Sequence, residues 1–152
     1  MSPMYLLDSN VYIHGFREAE FGRQLLEFHR AHLPRLVLSA VVVSELLVGA
    51  QTPKSLRQLR DTLVEPFLTR KRLLTPGFGT WERASAIDRR LRTRAPNRSR
   101  LGQRSFFHDI LIAATASELG ATIVTFNKAD FELIARHVDI DVVEPWPSAL
   151  AA

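Results

Sequence analysis

The run Met4-Tyr5-Leu6-Leu7-Asp8-Ser9-Asn10-Val11 decides how the rest of the chain is read. Four apolar residues with no polar alternation predict a short strand buried on both faces, as in a parallel sheet covered by helices. Asp8 interrupts the strand, and Ser9 is expected to cap a helix running to about Arg17. The same punctuation recurs downstream. Residues 36–38 form a second apolar strand, after which Ser39 caps a helix over residues 40–50. Between these, Phe21, Leu25, Leu26, Phe28 and Leu33 keep a helical period. Pro53 sits at a first-turn position and opens another helix, with Leu56, Leu59, Leu63 and Val64 on one face. A strand-like piece at 72–74 leads into a turn through Pro76, Gly77 and Gly79. Residues 81–94 are helical, with Ala84, Ile87 and Leu91 inward, and 95–100 form a loop. Residues 102–119 read as a long helix stopped by Gly120. A β-branched strand at 121–126, a helix from Asn127 or Asp130 to His137, and a strand at 141–143 complete the pattern. Short apolar strands alternating with helices predict an α/β fold, with a mostly parallel sheet buried between helices.

At 152 residues the chain fits one domain, since two would each have a thin core. Hydrophobic residues at 46% and charged residues at 24% suit a soluble globular protein and exclude disorder of the whole. The absence of cysteine excludes disulfides and thiolate metal sites and suits a reducing cytoplasm. No basic region precedes the first apolar run, so residues 1–7 do not read as a signal peptide. The longest apolar stretches, 40–43 and 46–50, are too short to span a bilayer. The net charge is +4, and 17 of the 20 basic residues are arginine, whose planar fork of donors matches phosphate oxygens. Eight arginines fall between Arg83 and Arg104. Arg89, Arg90, Arg92, Arg94, Arg98, Arg100 and Arg104 are the candidates for nucleic-acid contacts. A solvated basic helix face, or a surface for an acidic protein, explains the charge equally well.

In open α/β sheets, ligands bind beyond the carboxyl ends of the strands. Asp8 stands at such an end, and Asn127 and Asp130 follow another within a turn. Glu45 lies inside Val41-Val42-Val43-Ser44-Glu45-Leu46-Leu47-Val48. Asp109 lies inside Phe106-Phe107-His108-Asp109-Ile110-Leu111-Ile112-Ala113-Ala114. A carboxylate embedded in apolar sequence either raises its pKa or finds a cation. Four of them in one small domain point to a shared cation. Mg²⁺ takes oxygen ligands and keeps several waters, which leaves places for a phosphate oxygen and an attacking water. Each acid also has a plainer use. Asp8 and Asp130 suit helix caps, Glu45 suits a core arginine, and Asp109 suits His108 or Arg104.

Taken in order, Leu7-Asp8-Ser9-Asn10-Val11, Ser44-Glu45-Leu46, Asp109-Ile110-Leu111-Ile112-Ala113-Ala114 and Thr125-Phe126-Asn127-Lys128-Ala129-Asp130-Phe131 resemble the PIN domain. Within it they resemble the VapC-type toxins of bacterial toxin–antitoxin pairs. The match runs from Asp8 to Phe131. The resemblance implies a three-layer α/β/α fold, Mg²⁺- or Mn²⁺-dependent endoribonuclease activity, a homodimer, and a small antitoxin that blocks the site. It assigns Asp8, Glu45 and Asp109 as metal-binding carboxylates, with Asp130 as the remaining acid. Asn127 stands where some members carry Asp, a departure that bears on a second metal. Ser9, Asn10 and Thr125 match polar positions that support the pocket.

Other motifs are weaker. His29 and His32 are three apart on a helix without a third ligand, and read as a solvated face. His14 lies near enough in sequence to approach the Asp8 pocket. Ser44 has no nucleophile-elbow context. The Gly77–Gly79 turn lacks the Lys-Ser/Thr of a phosphate-binding loop. Phe106 and Phe107 suit core packing better than base stacking, and Trp146 suits packing on the domain or a partner copy. Two rival functions stand beside the nuclease. A phosphatase of the haloacid-dehalogenase type also starts from a strand ending in Asp, but it wants a second Asp where Asn10 stands. A non-catalytic basic module binding nucleic acid or a partner through its arginines needs no buried acids.

Overall fold

The computed structural model describes residues 3–94 and 102–147. The loop expected at 95–100, with Arg98 and Arg100, lies outside the described residues. Strand β1 (Met4–Leu7) is followed by helices α1 (Ser9–Arg17) and α2 (Ala19–His32), and by a 3₁₀ turn into β2 (Leu36–Ser39). Helices α3 (Ala40–Gly49) and α4 (Pro53–Leu59), a π turn at Arg60–Val64, and α5 (Glu65–Thr69) lead to β3 (Leu73–Leu74). Helices α6 (Phe78–Arg94) and α7 (Arg104–Leu119) precede β4 (Ala121–Val124), α8 (Lys128–Ile134) and β5 (Asp141–Val143).

All strand pairs are parallel, in the order β3-β2-β1-β4-β5. Successive strand residues point to opposite faces. Every residue of β2 and β4, and all of β1 beyond Met4, is buried. Helices therefore cover both faces, giving the three-layer α/β/α arrangement. The chain runs outward from β1 through β2 to β3, then returns to the other side of β1 to lay down β4 and β5. The switch point falls between β1 and β4, the place where ligands bind in open α/β sheets.

Several local readings shift by a residue or two. Asp8, not Ser9, is the N-cap of α1, and its carboxylate accepts the Ser9 N–H. Glu18 breaks the long helical period and caps α2 through its side chain. Leu26, expected inward, is exposed, whereas Phe21, Leu25 and Phe28 are buried. Ser39 caps α3 as expected. Gly79 is absorbed into α6, which starts at Phe78 rather than Trp81. Gly120 ends α7 with φ of 64°, a left-handed conformation that costs glycine little. Among the described residues no helix is long and apolar enough to cross a membrane.

Helices α1 and α2 cross where Gly15 meets Gly22. A Cβ on Gly22 would stand 2.6 Å from the Gly15 carbonyl oxygen, a backbone atom that cannot swing away. Gly22→Ala should therefore lower stability by about 1–3 kcal/mol, despite the better helix propensity of alanine. A thermal melt reads this directly, and an unchanged or raised midpoint would contradict the close crossing.

Candidate functional site

The β1–β4 register pairs Leu7 with Val124, so the residues leaving the two strands, Asp8 and Thr125, emerge side by side at the switch point. The Asp8 N–H is held by the Val124 carbonyl at 2.9 Å, and the Thr125 N–H by the Val143 carbonyl at 3.0 Å. Asp8 is 3% exposed and Thr125 fully buried. Asp8 Oδ1 accepts the Ser9 N–H and Oδ2 accepts the Thr125 hydroxyl, both at 2.8 Å.

Thr125 links both halves of the site. Its Oγ1 accepts the Asn127 N–H at 2.9 Å and the Asn10 side-chain amide at 3.3 Å. The Asn10 side-chain oxygen Oδ1 in turn accepts the Phe126 N–H at 3.3 Å. Asn127 is the N-cap residue of α8, yet its side chain makes no cap bond. Its Nδ2 instead donates to Asp109 Oδ2 at 3.3 Å and Asp130 Oδ2 at 3.0 Å. On the opposite flank the Ser9 hydroxyl donates to Glu45 Oε1 at 3.2 Å. Glu45 Oε2 faces His108 Nδ1 at 3.9 Å.

A continuous polar network thus runs from Glu45 through Ser9, Asp8, Thr125 and Asn127 to Asp109 and Asp130. All four acids and all four supporting residues expected from the sequence belong to it. They are not drawn into a ready-made ion cage: among the described residues no three acidic or histidine side chains stand close enough to hold a metal. The acids are neighbours through Ser9, Thr125 and Asn127 rather than a single tight cluster.

The electrostatics of the Asp8–Glu45 half are unfavourable as they stand. Burial pushes the Asp8 carboxyl above its ordinary value, partly offset by the Thr125 and Ser9 hydrogen bonds. Burial, then the charge of Asp8, pushes Glu45 up to about 7, against the pull of the Ser9 hydroxyl. Among the described residues no lysine or arginine comes within ion-pair distance of either carboxylate. His108 does not compensate, because burial and then the nearby Arg104 lower its affinity for a proton.

Two hollows meet at Glu45. A cavity of about 410 Å³ runs from it between α1, α3 and α4, lined by Ile13, Phe16, Leu46 and Leu59 among others. A second, of about 350 Å³, is walled by Ser44, Arg104, Ser105 and His108. Arg104 is thus the candidate arginine brought to the site. Arg89, Arg90, Arg92 and Arg94 are exposed on α6, with Arg92 paired to Asp88. Arg94 and Arg90 lie close enough to His137 to depress its pKa, after burial.

The histidine readings need correction. His29 is not on a solvated face. It lies partly buried with its Nε2 3.1 Å from the Tyr12 hydroxyl, and burial lowers its pKa to about 4. His32 packs on Tyr5 and Phe28. His14 stays off the acid network and lies edge-on to Phe21 and Phe126. Phe106 is buried, as core packing requires, and Phe107 lies against Trp81. Trp146 stacks on Phe21 and Phe28. Sequence reasoning did not place His108 opposite Glu45. The available signal was its four-residue spacing from Arg104, which puts both on one face of α7.

A sequence profile of the PIN domain matches residues 5–137. Among solved structures, the chain is similar to FitAcB from Neisseria gonorrhoeae at 24% identity and a TM-score of 0.69, covering 95% of this chain and all of that one. It is similar to DNA-bound VapBC from Salmonella typhimurium at 22% identity and a TM-score of 0.66, over 94% and 98% of the two chains. A toxin–antitoxin complex from Klebsiella pneumoniae matches at 24% identity and a TM-score of 0.63, over 95% and 99%. No curated protein matches the chain.

Proposed function

This chain belongs to the PIN domain family, and on that premise we propose that it is a divalent-metal-dependent endoribonuclease acting as the toxin of a toxin–antitoxin pair. One observation carries the reading. Burial disfavours ionisation of Asp8, burial and then the charge of Asp8 disfavour ionisation of the half-buried Glu45, and among the described residues no lysine or arginine pairs with either. Such a site is stabilised by a cation from outside the chain. An all-oxygen donor set of carboxylates suits Mg²⁺ or Mn²⁺.

Asp8, Glu45, Asp109 and Asp130 would hold the ion, which when bound supplies charge neutralisation at a phosphodiester and favours ionisation of water. The remaining work belongs to the chain. Thr125 and Ser9 fix the Asp8 carboxylate, and Asn127 spaces Asp109 from Asp130. Asp109 or Asp130 orients the attacking water and accepts its proton. Arg104, on the hollow beside Glu45, holds a neighbouring phosphate of the RNA. Asn10 occupies the place where a haloacid-dehalogenase-type phosphatase needs its second acid, and here its amide is spent on Thr125 and Phe126.

The partner reading follows from the larger cavity. A mostly apolar groove ending at Glu45 fits a short amphipathic segment of an antitoxin, which would cover the carboxylate as it binds. The Klebsiella relative is a toxin–antitoxin complex and the Salmonella one is bound to DNA. A homodimer forms part of the same proposal.

The deciding experiment incubates purified protein with unpaired RNA in Mg²⁺, Mn²⁺ or EDTA. Cutting with either ion and none in EDTA is expected, leaving 5′-phosphate and 3′-hydroxyl ends. Products ending in 2′,3′-cyclic phosphate would overturn the water mechanism. A phosphoryl group trapped covalently on Asp8 would replace it with the phosphatase.

A further inference from the structure

We propose that Phe126 is the platform on which an unpaired base of the RNA stacks when its phosphate lies at the Asp8 network. The inference rests on the nuclease reading above and names a substrate contact of that same site.

Phe126 stands between Thr125 and Asn127, whose side chains are both committed to the acids. Its own N–H is held by Asn10. Its ring is the part left to face outward, and it is 47% exposed. The ring ends a column of aromatic groups. Phe126 lies 5.3 Å from Phe21, Phe21 stacks on Trp146 at 5.1 Å, and Trp146 stacks on Phe28 at 4.9 Å. Phe28 meets Tyr5 of β1 edge-on at 5.2 Å. The Trp146 indole N–H is anchored on Gln24 at 3.1 Å. His14 closes one side, its ring 5.3 Å from that of Phe126.

Three features separate this ring from an ordinary surface phenylalanine. Phe21, Phe28 and Tyr5 behind it are buried, so the column is held in place before any ligand arrives. Phe16 and Phe78 are more exposed, but neither takes part in an aromatic column. Consecutive residues also place the ring beside the chemistry. Thr125 touches the Asp8 carboxylate and Asn10, and one turn along α1 from Asn10 His14 lies against the Phe126 ring, so the ring stands about one helical turn from the network. Asn10 and His14 share a face of α1, four residues apart, and Phe126 lies along it. The Phe126 ring leans at 45° on that of Phe21, so a base stacked on its exposed face rests on a ring buttressed from behind. Stacking of this kind tolerates any base and reads no hydrogen-bonding edge.

The test measures binding of a short single-stranded RNA in EDTA by fluorescence anisotropy, and cleavage of the same RNA with Mn²⁺. Parent, Phe126→Ala, Phe126→Leu and Phe126→Trp are compared, each with its thermal midpoint. Phe126→Ala and Phe126→Leu should bind about 5- to 100-fold more weakly, while Phe126→Trp stays within a few-fold of the parent. The loss in cleavage should fall on KM rather than kcat. Replacing one nucleotide at a time by an abasic residue should find a position that weakens parent binding equally and adds nothing to Phe126→Ala. If Phe126→Ala fails to fold, Phe126→Leu, which preserves the apolar contact with Phe21, decides the matter. Binding by Phe126→Leu equal to the parent, or strictly additive losses at every abasic position, overturns the proposal. Either result leaves metal-dependent cutting by the parent intact. A parent that binds with Phe126-dependent affinity but never cuts removes the nuclease reading instead.

Discussion

Asp8→Asn is expected to reduce RNA cleavage by about a thousand-fold or more while leaving the thermal midpoint unchanged or slightly raised. The activity side follows from position. Asp8 is the acid at the switch point, and both oxygens are already aimed by Ser9 and Thr125. Removing its charge takes away half of the paired negative field at Glu45, and with it the reason for a cation to settle there. The stability side follows from burial. The parent carries at 3% exposure a carboxyl whose ionised form burial disfavours and which has no lysine or arginine partner among the described residues, a cost that the amide does not bear. Asparagine also remains a good N-cap for α1. The hydrogen bonds oppose the change. Thr125 Oγ1 already accepts from Asn127 and Asn10, so the new side-chain amide meets a hydroxyl whose acceptor positions are filled. That conflict costs on the order of 1 kcal/mol, the same order as the desolvation relieved. Cleavage rates and melting curves on the same preparations check both halves. A variant that cuts as fast as the parent would remove Asp8 from the chemistry. One that is inactive only because it has unfolded would leave its role undecided between cap and ligand, and Asp8→Ser, which keeps a capping oxygen without charge, would then separate them.

The difference between what the sequence disclosed and what it hid follows from the range of each interaction. Strand β1 and the acid after it were legible because burial on both faces leaves four apolar residues in a row, and a polar residue next to them must lie at the strand end. Ser39 was legible as a cap because capping is local. Asp8 was misassigned in favour of Ser9 because either side chain can cap, and the choice depends on Thr125, 117 positions away, also claiming the carboxylate. His29 was misread because its burial depends on Tyr12, Phe67 and the α1–α2 crossing rather than on its neighbours in sequence. Phe126 gave no signal at all. One phenylalanine in a strand-to-helix turn looks the same whether it fills a core or faces solvent, and only the column through Phe21 and Trp146 distinguishes the two. The arginines were legible as charge but not as place: of the described ones in the 83–104 cluster Arg104 lines a hollow shared with Glu45, and Arg17, outside that cluster, lines the other.

Glu45→Gln should abolish cleavage and yet stabilise the metal-free protein above neutral pH. The folded chain pushes the Glu45 carboxyl up to about 7 from an ordinary 4.5, so folding favours its protonated form. Well below pH 4.5 the group is neutral in both folded and unfolded states and contributes nothing. As pH rises towards 7 the unfolded chain releases the proton while the folded one retains it, and stability falls. Above 7 the full penalty is present, on the order of 3 kcal/mol for this shift. Asp8 acts in the same direction. His29 acts in the opposite one. Its pKa is lowered to about 4 by burial, so stability is gained as pH rises through the range where the unfolded imidazole loses its proton. The raw pH profile of the parent therefore mixes the two, and the difference between parent and Glu45→Gln isolates the glutamate. In EDTA that difference should stay below about 1 kcal/mol at pH 5 and reach roughly 2–3 kcal/mol in favour of the variant at pH 8, about 5–10 °C in midpoint for a chain of this size. Gln retains an oxygen for the Ser9 hydroxyl, so the comparison changes charge more than shape. Adding Mg²⁺ or Mn²⁺ should raise the parent midpoint at pH 8 and have little effect at pH 5, where protons already neutralise the pair, and it should move the variant less at either pH. A metal-free parent as stable as Glu45→Gln at pH 8 would mean that Glu45 ionises there without strain, and a cation would then have no electrostatic deficit to fill.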